Sequence, residues 1–291
     1  MGHIQYFQNY AQQPAIYREG ANPGFQEAIG DLIALSVGTP QHLSKVNLLE
    51  KSFIQDNEML EKLNLNYQLK MALEKIVFLP FSYIVDRWRW DVFELPNLET
   101  KLNQHWWKLR IDYQGISPPI VRSELNFDPG AKNHIPANVE YVRYFVSHVL
   151  QFQFFEYLCK QKVHHVGDLY KCDLDGSKEA GKALKAMLQR GSSDTWINIL
   201  RDFIGTDQMS LKPLLKYFKP LEEYLDEFII KNKIKVGWTK NLVQYYMVRP
   251  TASLVISSAP SFHPFRIDWH LLTILSAIVL LSVSIKKVFF H

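Results

Sequence analysis

Residues 19–37 read Glu-Gly-Ala-Asn-Pro-Gly-Phe-Gln-Glu-Ala-Ile-Gly-Asp-Leu-Ile-Ala-Leu-Ser-Val. Asn22-Pro23-Gly24 is a turn signal placed to open a helix. After it, Ile29, Ile33 and Val37 recur at helical spacing over 26–37, and Leu32 and Leu35 broaden the stripe. Glu27 and Asp31 stand four apart, so both project from one face of that helix. Two carboxylates so placed repel each other unless a cation or an imidazole lies between them. A ligand glutamate with a second carboxylate one turn on, orienting a ligand histidine, is a known logic of zinc sites. Taken alone, the pair reads more often as a solvated helix face.

Outward from this stretch the pattern stays helical. Residues 69–95 form a long apolar-periodic run in which Pro80 should introduce a bend. Residues 115–136 read as a loop, with Pro118-Pro119 and Asp128-Pro129-Gly130. Residues 141–159 are helical and aromatic, and 177–190, 194–204 and 210–232 alternate helix and turn. No internal repeat and no strand alternation is found, so the fold class is mainly α. The 291 residues carry 33 basic and 29 acidic side chains, a net charge of +4, and are 47% hydrophobic. That is a globular composition with chain enough for a large core. No Lys/Arg run exceeds two residues, which argues against nucleic acid as a partner. Cys159 and Cys172 are compatible with one local disulfide or with two free thiols. The 17 residues 269–285 (WHLLTILSAIVLLSVSI) contain no acid, Lys or Arg and are followed by Lys286-Lys287. This is read as a single membrane-spanning helix with its cytosolic flank at the lysines.

Met1-Gly2-His3, followed 24 residues after the histidine by Glu27, closely resembles the angiotensin-converting enzyme family of zinc peptidyl-dipeptidases, whose metal motif reads His-Glu-Met-Gly-His. The resemblance continues through 78–83 (FLPFSY), 86–90 (DRWRW), 106–110 (WWKLR), 127–132 (FDPGAK) and 134–136 (HIP). It runs on through 141–145 (YVRYF), 151–154 (QFQF), 171–173 (KCD), 177–181 (SKEAG), 217–221 (YFKPL) and Gly237-Trp238. Nearly all of 1–238 is covered.

The resemblance implies the C-terminal half of a zincin-like helical fold and release of C-terminal dipeptides from oligopeptides. It makes His3 and Glu27 zinc ligands and Asp31 the carboxylate behind them. It assigns Lys132 and Tyr141 to the substrate's free carboxylate, Phe78 and Phe81 to the pocket wall, and Tyr144 and His134 to the reacting carbonyl. Arg143, and Arg110 with Trp106, match parts of two chloride sites, and Cys159 with Cys172 matches a disulfide. His148 stands where the family often has Phe, and Gln26 where a His is common. The chain starts inside the metal motif, after the first histidine and its neighbouring glutamate, so as written it is expected to bind zinc poorly and hydrolyse nothing. The division expected is 1–245 peptidase, 246–268 stalk, 269–285 membrane helix and 286–291 cytosolic tail, with the peptidase outside the cell. The alternatives are a non-catalytic, membrane-tethered binding module, and a tail-anchored chain with 1–268 in the cytosol.

Overall fold

A computed structural model of the chain describes residues 2–162, 167–238 and 240. The stalk 246–268, the apolar run 269–285 and the tail 286–291 lie outside them. Among the described residues no helix is long and apolar enough to cross a membrane, and no β-strand occurs. The α-helices in chain order are α1 (Gly2–Asn9), α2 (Pro23–Val37), α3 (Pro40–Lys45), α4 (Lys51–Gln55), α5 (Asn57–Lys75) and α6 (Phe78–Glu94). They continue with α7 (Leu102–Leu109), α8 (Val142–Gln161), α9 (Lys178–Arg190), α10 (Trp196–Ile204) and α11 (Lys212–Lys231). A π-helical turn, Arg110–Gln114, extends α7. The mainly α expectation therefore holds.

The boundaries follow local chemistry. The Asn22 side chain accepts from the Phe25 amide at 2.9 Å and Pro23 occupies the first turn, so α2 starts where the turn signal places it. Ser177 and Thr195 cap α9 and α10 in the same way. Two expectations need correction. The 69–95 run is broken at residues 76 and 77, not bent at Pro80. Pro80 falls in the first turn of α6, where its missing amide costs no intrahelical hydrogen bond. The apolar face of α2 is centred on Phe25, Ala28, Ile29, Leu32 and Leu35, while Val37 is exposed. Phe25 packs edge-on against Phe154 of α8 at 5.1 Å, and that contact turns the helix toward its 25–32 side.

The described residues form two compact units, Met1–Lys75 with Arg143–Asp226, and Ile76–Val142 with Glu227 onward. In the first, α1 lies on α2 and α9, and the core is aromatic. Phe152 meets Tyr217 at 5.1 Å and Phe154 meets Phe203 at 5.2 Å. Tyr6 of α1 is fully buried, and burial pushes its phenol up to about 12. In the second unit the 115–136 loop is built rather than loose. Buried Asn103 donates to Ser123 O and Asp128 Oδ2 and accepts from the Asp128 amide. The Glu124 carboxylate caps α7 by accepting from the Asn103 and Gln104 amides, each at 2.9 Å. This ordering holds Lys132 and His134, which the loop carries.

Candidate functional site

In the first unit, α1 presents His3 and the first turns of α2 present Glu27. His3 Nε2 and Glu27 Oε2 are 3.4 Å apart, with His3 about half exposed and Glu27 largely covered. Ligands about 2.05 Å from a tetrahedral zinc ion lie about 3.3–3.4 Å from one another. The pair thus has the spacing of two ligands on one ion, reached across helices 24 residues apart in sequence.

Asp31, one turn on, is held by a lysine. Lys75, at the end of α5 and almost fully buried, places Nζ 2.8 Å from Asp31 Oδ1. The position expected behind the ligands is therefore filled by an acid that a lysine already neutralises. Near this pair lies His148 of α8, also buried. Its Nδ1 is 2.8 Å from the Tyr144 carbonyl, and since a carbonyl only accepts, Nδ1 carries the proton. Burial pushes His148 down to about 4; the Asp31 carboxylate opposes that and the Lys75 ammonium adds to it. The unfolded chain, with histidine near 6.5, takes up this proton first, so folding stability falls as pH drops from about 6.5 toward 4. The loss is on the order of 3 kcal/mol, since each tenfold fall in proton affinity is worth about 1.4 kcal/mol. Urea midpoints at pH 7, 5.5 and 4.5 should show this slope, and His148→Phe should remove its share. Equal slopes in both proteins would show that His148 contributes nothing. Arg143 and Tyr144 stand in the first turn of the same helix, both partly exposed.

The second unit gathers the remaining residues around Tyr141. Its ring meets His134 edge-on at 4.8 Å, Phe81 at 5.6 Å and Phe78 at 6.1 Å, and Lys132 Nζ lies 4.8 Å from its centroid. Arg110, from the π-helical turn, lies 5.2 Å over Phe81 and 5.9 Å from the Trp106 ring. No carboxylate pairs with Arg110 among the described residues, and burial alone pushes its guanidinium down to about 10. A buried cation of that kind favours an anion beside it.

Two residues that hold this cluster are given no role by the family resemblance above. Asp86 of α6 is 1% exposed, and its Oδ2 accepts from the Tyr141 and Val142 amides, each at 2.7 Å. Arg89, one turn on, pairs with Asp86 and donates to the Val139 carbonyl at 2.7 Å and the His134 carbonyl at 3.3 Å. A buried carboxylate thus caps the start of α8 and its guanidinium partner braces the approach to it. A further group, His42, Asp173 and Asp175, brings three ligand-type atoms within 4.8 Å. There the positive charge is a lysine's: Lys45 Nζ lies 2.5 Å from Asp175 Oδ2 and holds that carboxyl below its ordinary range. Cys159 and Cys172 are joined in a disulfide.

The family model described as angiotensin-converting enzyme matches residues 1–238. The chain belongs to the angiotensin-converting enzyme family. It is 51% identical over 238 residues to the angiotensin-converting enzyme of Bos taurus, covering 82% of this chain and 18% of that protein. Against the enzyme of Rattus norvegicus it is 47% identical over 262 residues, 90% of this chain and 20% of the relative. With the angiotensin-converting enzyme of Theromyzon tessulatum it shares 46% over 224 residues, 77% of this chain and 35% of that one. The chain spans about a fifth of the length of the mammalian angiotensin-converting enzymes it matches. The matched segment takes in both the His3–Glu27 pair and the Tyr141 cluster, whereas 239–291 lies beyond the family match.

Proposed function

We propose that this chain carries the C-terminal part of the catalytic domain of a zinc peptidase that releases dipeptides from the free carboxyl end of oligopeptides. The observation that carries the reading is the 3.4 Å between His3 Nε2 and Glu27 Oε2. Zinc, when bound, supplies a Lewis acid that polarises a peptide carbonyl. The chain's own residues then have distinct tasks. Lys132 offers a point charge and Tyr141 a hydroxyl for the substrate's terminal carboxylate. Phe78 and Phe81 exclude water from the side chain beside it. Tyr144, in the first unit, and His134, in the second, are each the type of donor that stabilises a carbonyl oxygen as it gains charge. Arg110 over Trp106 forms one anion site, where chloride would compensate the buried guanidinium, and Arg143 belongs to a second.

The disulfide supports an oxidising compartment. We place the peptidase outside the cell, on an anchor formed by 269–285.

Zinc titration by calorimetry tests the metal pair. Among the described residues His3 and Glu27 are the two ligand-type groups at this spacing, where catalytic zinc has three, so one weak site is expected, and it should be lost in both His3→Ala and Glu27→Ala. Identical isotherms for the chain and His3→Ala would remove the metal reading. No dipeptide is expected from an N-blocked tripeptide with this chain alone, and its release would overturn the expectation that the chain as written hydrolyses nothing.

A further inference from the structure

The residue before His3 has no side chain, and the packing of α1 on α2 leaves no room for one. A Cβ placed on Gly2 would lie 2.5 Å from the Gly30 amide nitrogen, 2.6 Å from Gly30 Cα and 3.2 Å from the Ile29 carbonyl carbon. These are backbone atoms of a helix, which have no rotamer by which to move aside. Ordinary contact begins near 3.5 Å, so an alanine here must part the two helices by about 1 Å. The reverse substitution differs. A Cβ on Gly30 would meet Gly2 Cα at 3.9 Å, an ordinary contact. Gly30 lies three residues after Glu27 and one before Asp31, on the face of α2 that carries both. The point of closest approach is therefore immediately beside the two ligand-type side chains.

We propose that Gly2 is a positioning residue for zinc: its missing side chain lets α1 sit backbone to backbone on α2, which sets His3 and Glu27 at one ion's ligand spacing. The inference rests on the metal reading above and adds the cause of the distance. Metal–ligand bonds tolerate about 0.2 Å, so a 1 Å separation of the helices exceeds what the site absorbs. The asymmetry of the contact distinguishes this role from general helix packing. Gly30, in the interior of α2, gains helix propensity as alanine, and only the substitution at position 2 drives the backbones apart.

The test compares the full chain with Gly2→Ala, Gly30→Ala and His3→Ala, using zinc alone as the probe and calorimetry as the readout. Gly2→Ala is expected to weaken zinc at least tenfold, and Gly30→Ala less than threefold. Tyr6, one turn along α1, reports whether the helix stays docked. Its phenol is pushed up to about 12 by burial, so spectrophotometric titration of Gly2→Ala should show no additional tyrosine ionising near pH 10. An extra tyrosine there would mean that α1 had detached, and the positioning role would give way to a folding role. Unchanged zinc affinity in Gly2→Ala, or equal losses in the two alanine variants, would overturn the proposal and leave the metal reading standing. No difference between the unsubstituted chain and His3→Ala would remove both.

Discussion

Asp86→Ala is expected to destabilise the unit formed by Ile76–Val142 by about 3–5 kcal/mol, the cost of removing one partner from a buried ion pair. Asp86 is 1% exposed and pairs with Arg89 at 3.2 Å. Truncation leaves the Arg89 charge inside without compensation and strips two backbone amides, Tyr141 and Val142, of their acceptor. Each buried donor left unpaired adds to the loss. Asp86→Asn should fall between, because one amide oxygen still accepts while the charge is gone. Urea denaturation measures the loss, and amide exchange at Tyr141 and Val142 locates it. The exchange should accelerate there before it does in α7. A loss below about 1 kcal/mol, the scale of one ordinary hydrogen bond, or unchanged exchange at those two amides, would show that neither the cap nor the pair is needed. The expected consequence for function is specific. Tyr141 and His134 are the residues whose backbone Asp86 and Arg89 brace, so a change 55 positions upstream of Tyr141 should loosen carboxylate binding.

What the sequence makes legible differs by kind of information. The α2 helix and its start are readable because Asn22 and Pro23 act locally, through a cap and a fixed φ. Glu27 and Asp31 are readable as neighbours because helical spacing alone puts them on one face. The partner of Asp31 is not. Lys75 reaches it from another helix 44 residues away, and one lysine at the end of a polar helix carries no local sign of burial. The same holds for Asp86. Within 86–90 (DRWRW) it looks like one charge among several, and only the fold shows that it faces the start of α8. Pro80 illustrates the converse. A proline signals that a helix is interrupted nearby, and the break at 76 and 77 satisfies that demand without a bend. The roles implied by the family resemblance reach further than periodicity does. They give Lys132 and Tyr141 one task and His134 another, with no statement of contact among them; that Lys132 and His134 both lie against the Tyr141 ring is visible only in the fold.

Replacing Cys159 and Cys172 with alanine is the other change with a large expected effect. The bridge closes a loop of sequence separation 13, and a loop of that size restricts the unfolded chain by about 3 kcal/mol in the chain-entropy account. Both sulfurs are buried, so their removal also leaves a small void. The bridge has a local consequence besides. Asp173 follows Cys172, and its Oδ1 takes the Ser36 hydroxyl at 3.2 Å, the His42 ring at 3.1 Å and the Asp175 amide at 2.9 Å. Lys162 Nζ, on the other side of the loop, donates to the Asp173 carbonyl. Ser36 lies in the last turn of α2, the helix that carries Glu27. The disulfide thus fixes the strut that holds the far end of the helix that carries Glu27. The double variant should therefore lose about 3 kcal/mol in urea denaturation and show faster exchange at the Leu174 amide, which donates to Ser36 Oγ at 2.7 Å. If stability falls but Leu174 exchange does not change, the bridge acts on the unfolded chain alone and the strut stands without it. If stability moves by less than about 1 kcal/mol, the entropic argument fails for this loop, and the three acceptor contacts of Asp173 suffice to hold it closed.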